Sequence, residues 1–183
     1  MNKYYLKIGL FFLSFAIISA VIFPSEKVSA QKKSKTTAVK PKSLCQANEQ
    51  TIWSCAVTTK NKIASVCASK DLAEDKGYVQ YRFGTAVKIE LEFPKDRTNS
   101  QKSFKYSRYT RPLVTMLTLS FENSGFVYEI HDDDNAEEKP PVRFASIDIK
   151  NSEGKDVSSV VCKLPVTGSL MKLEDLVPRD EEN

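Results

Sequence analysis

Four cysteines, Cys45, Cys55, Cys67 and Cys162, and a single histidine, His131, are the residues of this 183-residue chain best suited to chemistry at neutral pH. Zinc would want thiolates in close pairs with histidines nearby, and a thioredoxin-type redox site would want C-x-x-C. Neither spacing occurs, so no metal or cofactor is expected, and an even set of well-spaced cysteines in an exported chain reads as a disulfide framework. The stretch TIWSCAVTTKNKIASVC, Thr51 to Cys67, has the pattern of a hairpin with its midpoint at Asn61. A turn there would set Cys55 against Cys67 across a loop of about 13 residues, worth on the order of 3 kcal/mol. Cys45 would then join Cys162. Four cysteines allow three connectivities, and a one-residue slip would put Cys55 and Cys67 on opposite faces, so spacing alone does not select the pairing.

His131 is the candidate general base, at the end of the run FVYEIH. A Ser-His-Asp set need not be close in sequence, but no G-x-S-x-G elbow accompanies this histidine, and no residue is assigned a catalytic role. The stretch after it, HDDDNAEEKPP, reads as an acidic loop. Asp132, Asp134, Glu137 and Glu138 offer oxygen ligands of the kind calcium takes, yet the order of an EF-hand and its glycine are missing. Together with Asp133 these acids suit charge-steered docking of a basic protein, as an inhibitor of a cationic hydrolase would use. Outward tyrosines, Tyr78 and Tyr109, with Trp53 and Tyr106 as further candidates, could form a sugar-stacking face. Most aromatics of a β protein are core or cross-strand packing, as the inward spacing of Phe83, Phe93, Phe126 and Tyr128 suggests.

The elements that must position these residues read as β almost throughout. VKIELEFP, Val87 to Pro94, sends Val87, Ile89, Leu91 and Phe93 to one side and Lys88, Glu90 and Glu92 to the other. GYVQYRFG, Gly77 to Gly84, alternates in the same way. Further runs are Phe104 to Arg111, Leu113 to Glu122, Phe126 to His131, Val142 to Lys150 and Ser158 to Pro165. With the two arms of the cysteine hairpin this gives about eight to nine closely spaced strands, predicting a single-domain, all-β, antiparallel sandwich or barrel stapled by disulfides. One short C-terminal helix is expected over Ser169 to Val177, with Ser169 as N-cap and Pro178 as stop.

Ahead of this domain, residues 1–30 read as a signal peptide: a basic start, an uncharged apolar run of 16 residues from Ile8 to Phe23, and Val28-Ser29-Ala30 as the cleavage site. The run falls just short of the roughly 17–25 residues of a spanning helix, and no stable membrane insertion is expected after cleavage. Residues 31–42 carry five lysines and no acid, and read as a basic disordered linker before a β domain at 43–183. From Cys45 onward 19 basic residues face 22 acidic ones, so the basic pI belongs to the leader and linker, and nucleic-acid binding loses its support.

The order Ser54-Cys55, Lys62, Val66-Cys67, Tyr81-Arg82-Phe83-Gly84, Glu90, Pro94, Ser120-Phe121, Tyr128 and Cys162-Lys163 resembles a group of small exported Gram-negative bacterial proteins of uncharacterised function. The resemblance spans Ser43 to Leu176 and implies a periplasmic or secreted protein; it implies no activity. The sequence thus leads to an exported, non-catalytic binding protein of the bacterial envelope whose partner is a protein or a glycan. The alternative is a small periplasmic hydrolase using His131.

Overall fold

A computed structural model describes residues 43–58 and 61–180; the expected signal peptide and basic linker lie outside the described residues. Nine strands form one antiparallel sheet: β1 Glu49–Val57, β2 Ile63–Ser69, β3 Val79–Thr85, β4 Lys88–Phe93, β5 Lys105–Arg111, β6 Val114–Asn123, β7 Phe126–Asn135, β8 Val142–Lys150 and β9 Asp156–Gly168. Their order is β4-β3-β2-β1-β9-β8-β7-β6-β5, and the sheet curls into a half-barrel with β4 and β5 at its open edges. The all-β expectation holds in this form. The expected C-terminal helix is only a 3-10 turn, Leu170–Leu173, entered through Ser169, whose hydroxyl accepts the Met171 N–H. Asp175, with φ at 64°, lies in the left-handed region a few residues on, where a regular α-helix cannot continue.

The curl brings β3 and β4 against β6 and β7. Phe121 stacks on Phe93 at 4.4 Å and on Tyr128 at 4.8 Å, and meets Phe104 edge-on. Ile52, Val66, Tyr81, Leu119, Ile130 and Ile147 complete a continuous core, closed at one end by Leu170 and Leu173 of the 3-10 turn. Trp53 and Tyr106 belong to this core and present no outward aromatic surface. Burial pushes the Tyr106 hydroxyl up to about 12.

One correction concerns β4. Val87 is 95% exposed and Ile89 42%, although strict alternation sends both inward. The pairs Phe83↔Leu91 and Gly84↔Ile89 leave Glu90 as an extra residue, and this bulge turns the strand start over. Gly84 makes the irregularity possible: at φ 155° a Cβ there would lie 2.3 Å from the Lys88 carbonyl oxygen.

A second correction concerns the disulfides, which join Cys45 to Cys67 and Cys55 to Cys162. The hairpin turns earlier than its sequence midpoint, so Cys55 stands opposite Ala64, while Cys67 stands opposite Thr51 beyond a bulge. Cys55 points into the core, where β9 delivers Cys162 through the pairing Val57↔Cys162. Cys67 points to the other face, onto which the residues before β1 fold back with Cys45. No described cysteine is free, which accords with an oxidising environment. Among the described residues, no helix is long and apolar enough to cross a membrane.

Candidate functional site

The outer face of β5–β8 is built by alternation and register. Along β7, Tyr128, Ile130 and Asp132 point inward, which leaves Glu129, His131 and Asp133 outward. The ladders then align three outer rows: Tyr109, Met116, Asp133 and Phe144; Ser107, Thr118, His131 and Ser146; and Lys105, Ser120, Glu129, Asp148 and Ser159. A shallow depression of about 430 Å³ lies across these rows, floored by Tyr109, Met116, Thr118, Glu129, His131 and Lys150.

His131 Nδ1 lies 3.2 Å from the Thr118 hydroxyl, and Nε2 lies 3.3 Å from Asp148 Oδ2 and 3.6 Å from Glu129 Oε2. Lys150 donates to Glu129 at 2.8 Å, and this bond raises the Lys150 ammonium above the ordinary lysine value. Ser159 donates its hydroxyl to Asp148, so the serine meets the carboxylate rather than the ring. Asp133 is held above the usual carboxylate range by burial beside Met116 and Phe144, an effect that His131 and the Leu117 N–H partly offset. Tyr109 stands 56% exposed and, with Met116, supplies the apolar part of this mixed floor.

The expected acidic loop takes another form. β7 runs on to Asn135, paired with Val142, so His131 to Asp134 are strand residues. Alternation divides them between the two faces. Asp132 is buried: it accepts two bonds from Arg143 through Oδ1, and through Oδ2 the Ser169 hydroxyl and the Leu170 N–H. It anchors the 3-10 turn and offers nothing to a partner. Glu137 forms a two-point ion pair with Arg111. Asp134 is exposed, 4.0 Å from Arg143, and Glu138 lines a neighbouring depression with Met116 and Phe144.

The two outward tyrosines are not brought into one site. Tyr78 donates its hydroxyl to Glu49 at 2.8 Å and lies under the Arg97 guanidinium at 4.8 Å. It is part of a buried polar cluster in which Arg82, on the face to which alternation assigns it but covered to 2% exposure, forks onto both Glu49 oxygens and also reaches Glu92 and Gln80. The segment at Leu44 covers this cluster, its carbonyl accepting from Arg82. Burial would raise the Glu49 carboxyl, but bonds from Arg82, the Gln46 N–H and Tyr78 outweigh it and hold the group at about 2.

The structure therefore gathers Tyr109, His131 and Asp133 on one face and separates them from Asp132 and Tyr78. Thr118, Glu129, Asp148 and Lys150 are the site residues that sequence reading missed. Glu129 shares β7 with His131 and follows from alternation, whereas only the register between strands sets Thr118 of β6 and Asp148 and Lys150 of β8 near them. The chain matches no protein-family model, no curated protein and no solved structure.

Proposed function

We propose that this chain is an exported, non-catalytic binding protein of the bacterial envelope, and that it recognises a saccharide on the outer face of β5–β8. The observation that carries the reading is Tyr109: an exposed aromatic ring beside a shallow floor whose hydroxyl, imidazole, carboxylate and ammonium groups can both donate and accept. A sugar ring has an apolar face flanked by hydroxyls, and such a surface meets both needs. Export to the envelope rests on the leader sequence and accords with two formed disulfides. The test is titration of the mature protein with envelope oligosaccharides by calorimetry. Tyr109→Ala should weaken binding at least about tenfold, the loss of about 1.4 kcal/mol. Equal affinity of wild type and variant would remove the site.

The line Thr118–His131–Asp148 favours a second reading, hydrolysis with the threonine hydroxyl as nucleophile. Against it, β6, β7 and β8 are interior strands whose backbone N–H groups are directed to ladder partners on both sides, leaving few donors for a developing oxyanion. Ester and glycoside turnover by the purified protein, abolished in His131→Asn, would establish hydrolysis; turnover unchanged by that substitution or absent would exclude this residue set.

A further inference from the structure

The inner face carries a second opening, distinct from the saccharide surface. An apolar groove of about 330 Å³ lies between residues of β3–β4 and of β7–β9. Phe83 and Leu91 form one wall, Tyr128, Ile149 and Val160 the other, with Tyr81 and Ile147 at the base. Apolar clefts with a few polar groups are common ligand sites, and this volume lies at the small end of their range, suited to one slender chain. The lip carries a charged pair. Glu90, the bulged residue of β4, lines the groove, and its Oε2 lies 2.6 Å from the Lys62 ammonium, which itself lies 5.3 Å from the centre of the Phe83 ring.

That lip selects a head group. A lone anion drawn to Lys62 meets repulsion from Glu90, and a lone cation drawn to Glu90 meets the converse at Lys62. A dipolar head can satisfy both at once. The Lys62–Glu90 pair is partly exposed and such pairs contribute little, so exchanging its partners costs little. The alkyl part meanwhile removes from water apolar wall that the fold leaves open. We propose that this groove binds a single-chain zwitterionic amphiphile, its alkyl chain along Leu91 and Val160 and its head across Lys62 and Glu90.

The probe is dodecylphosphocholine, titrated into the mature protein below its micelle-forming concentration, alongside dodecyl maltoside, dodecanoate and dodecyltrimethylammonium. One-to-one binding is expected, with the zwitterion at least about tenfold tighter than the other three. Ser158→Trp, a change at an exposed position on the groove, should abolish binding without lowering the melting temperature. The double variant Lys62→Gln with Glu90→Gln should retain the alkyl chain and lose the head preference. Equal affinity for all four amphiphiles, no saturable binding, binding unaffected by Ser158→Trp, or a head preference that survives the double variant would each overturn the proposal.

Discussion

Glu49 and Arg82 show how single side chains hold the half of the sheet farthest from His131 in sheet order. Both are buried, so their attraction is little weakened by water, but either one left alone would be a desolvated charge. Glu49→Gln should therefore cost about 3–5 kcal/mol in denaturant unfolding, the range for breaking a buried pair. The same carboxyl gives a pH prediction. Its folded value, about 2, lies below the ordinary 4.5, so its contribution is complete above about pH 4.5 and is lost as pH falls toward 2. Wild type should show a stability loss of about 3 kcal/mol across that window, and Glu49→Gln should lack this component. A wild-type curve flat between pH 4.5 and 2, or a variant with the same slope, would mean that the pair is not coupled to folding. Neither residue's role was legible in the sequence: alternation placed Arg82 outward correctly, but its burial depends on the folding back of the residues around Leu44, which no periodicity announces.

At the scale of elements, the two disulfides do different work. Cys45–Cys67 spans 22 residues and ties the segment before β1 to the outer face; Cys55–Cys162 spans 107 and joins β1 to β9 inside the core. Loop entropy makes the longer closure the larger contribution, nearly 5 kcal/mol against roughly 3. Replacing Cys55 and Cys162 by Ala should thus lower stability more than replacing Cys45 and Cys67, and non-reducing peptide mapping should recover the 45–67 and 55–162 pairs. Recovery of a 55–67 peptide would contradict the register of β1 and β2. Strands were readable because alternation is local, and the nine-strand pattern follows from it. Pairing was not, because the register Ala56↔Ile63 sets Cys55 opposite Ala64, three residues away from Cys67. Asp132 illustrates the same limit at a different point. Three consecutive aspartates look like a solvated loop in one dimension, yet the β7–β8 ladder continues through them and turns Asp132 inward onto Arg143 and the 3-10 turn. Asp132→Ala should destabilise the fold by about 3 kcal/mol, since it strips Arg143 and the Leu170 N–H of a buried acceptor; a thermal or chemical denaturation curve unchanged from wild type would refute this anchoring role.

For the molecule as a whole, curling one nine-stranded sheet leaves two kinds of surface. The inner face is core except at the groove, and the outer face of β5–β8 sets exposed Tyr109, Met116 and Phe144 beside polar and charged side chains. Of the residues on the outer face, His131 and Tyr109 stood out in the sequence. What the sequence lacked was their company, since Thr118 comes from β6 and Asp148 and Lys150 from β8. The most direct test of saccharide recognition is an amide-shift map of the mature protein titrated with peptidoglycan fragments, chito-oligosaccharides and lipopolysaccharide core sugars. Saturable shifts confined to Ser107–Tyr109, Met116–Thr118, Glu129–His131 and Lys150 are expected for at least one of these, lost in Tyr109→Ala. Shifts centred elsewhere on the domain, or no saturable shift with any of the three, would contradict saccharide recognition on this face.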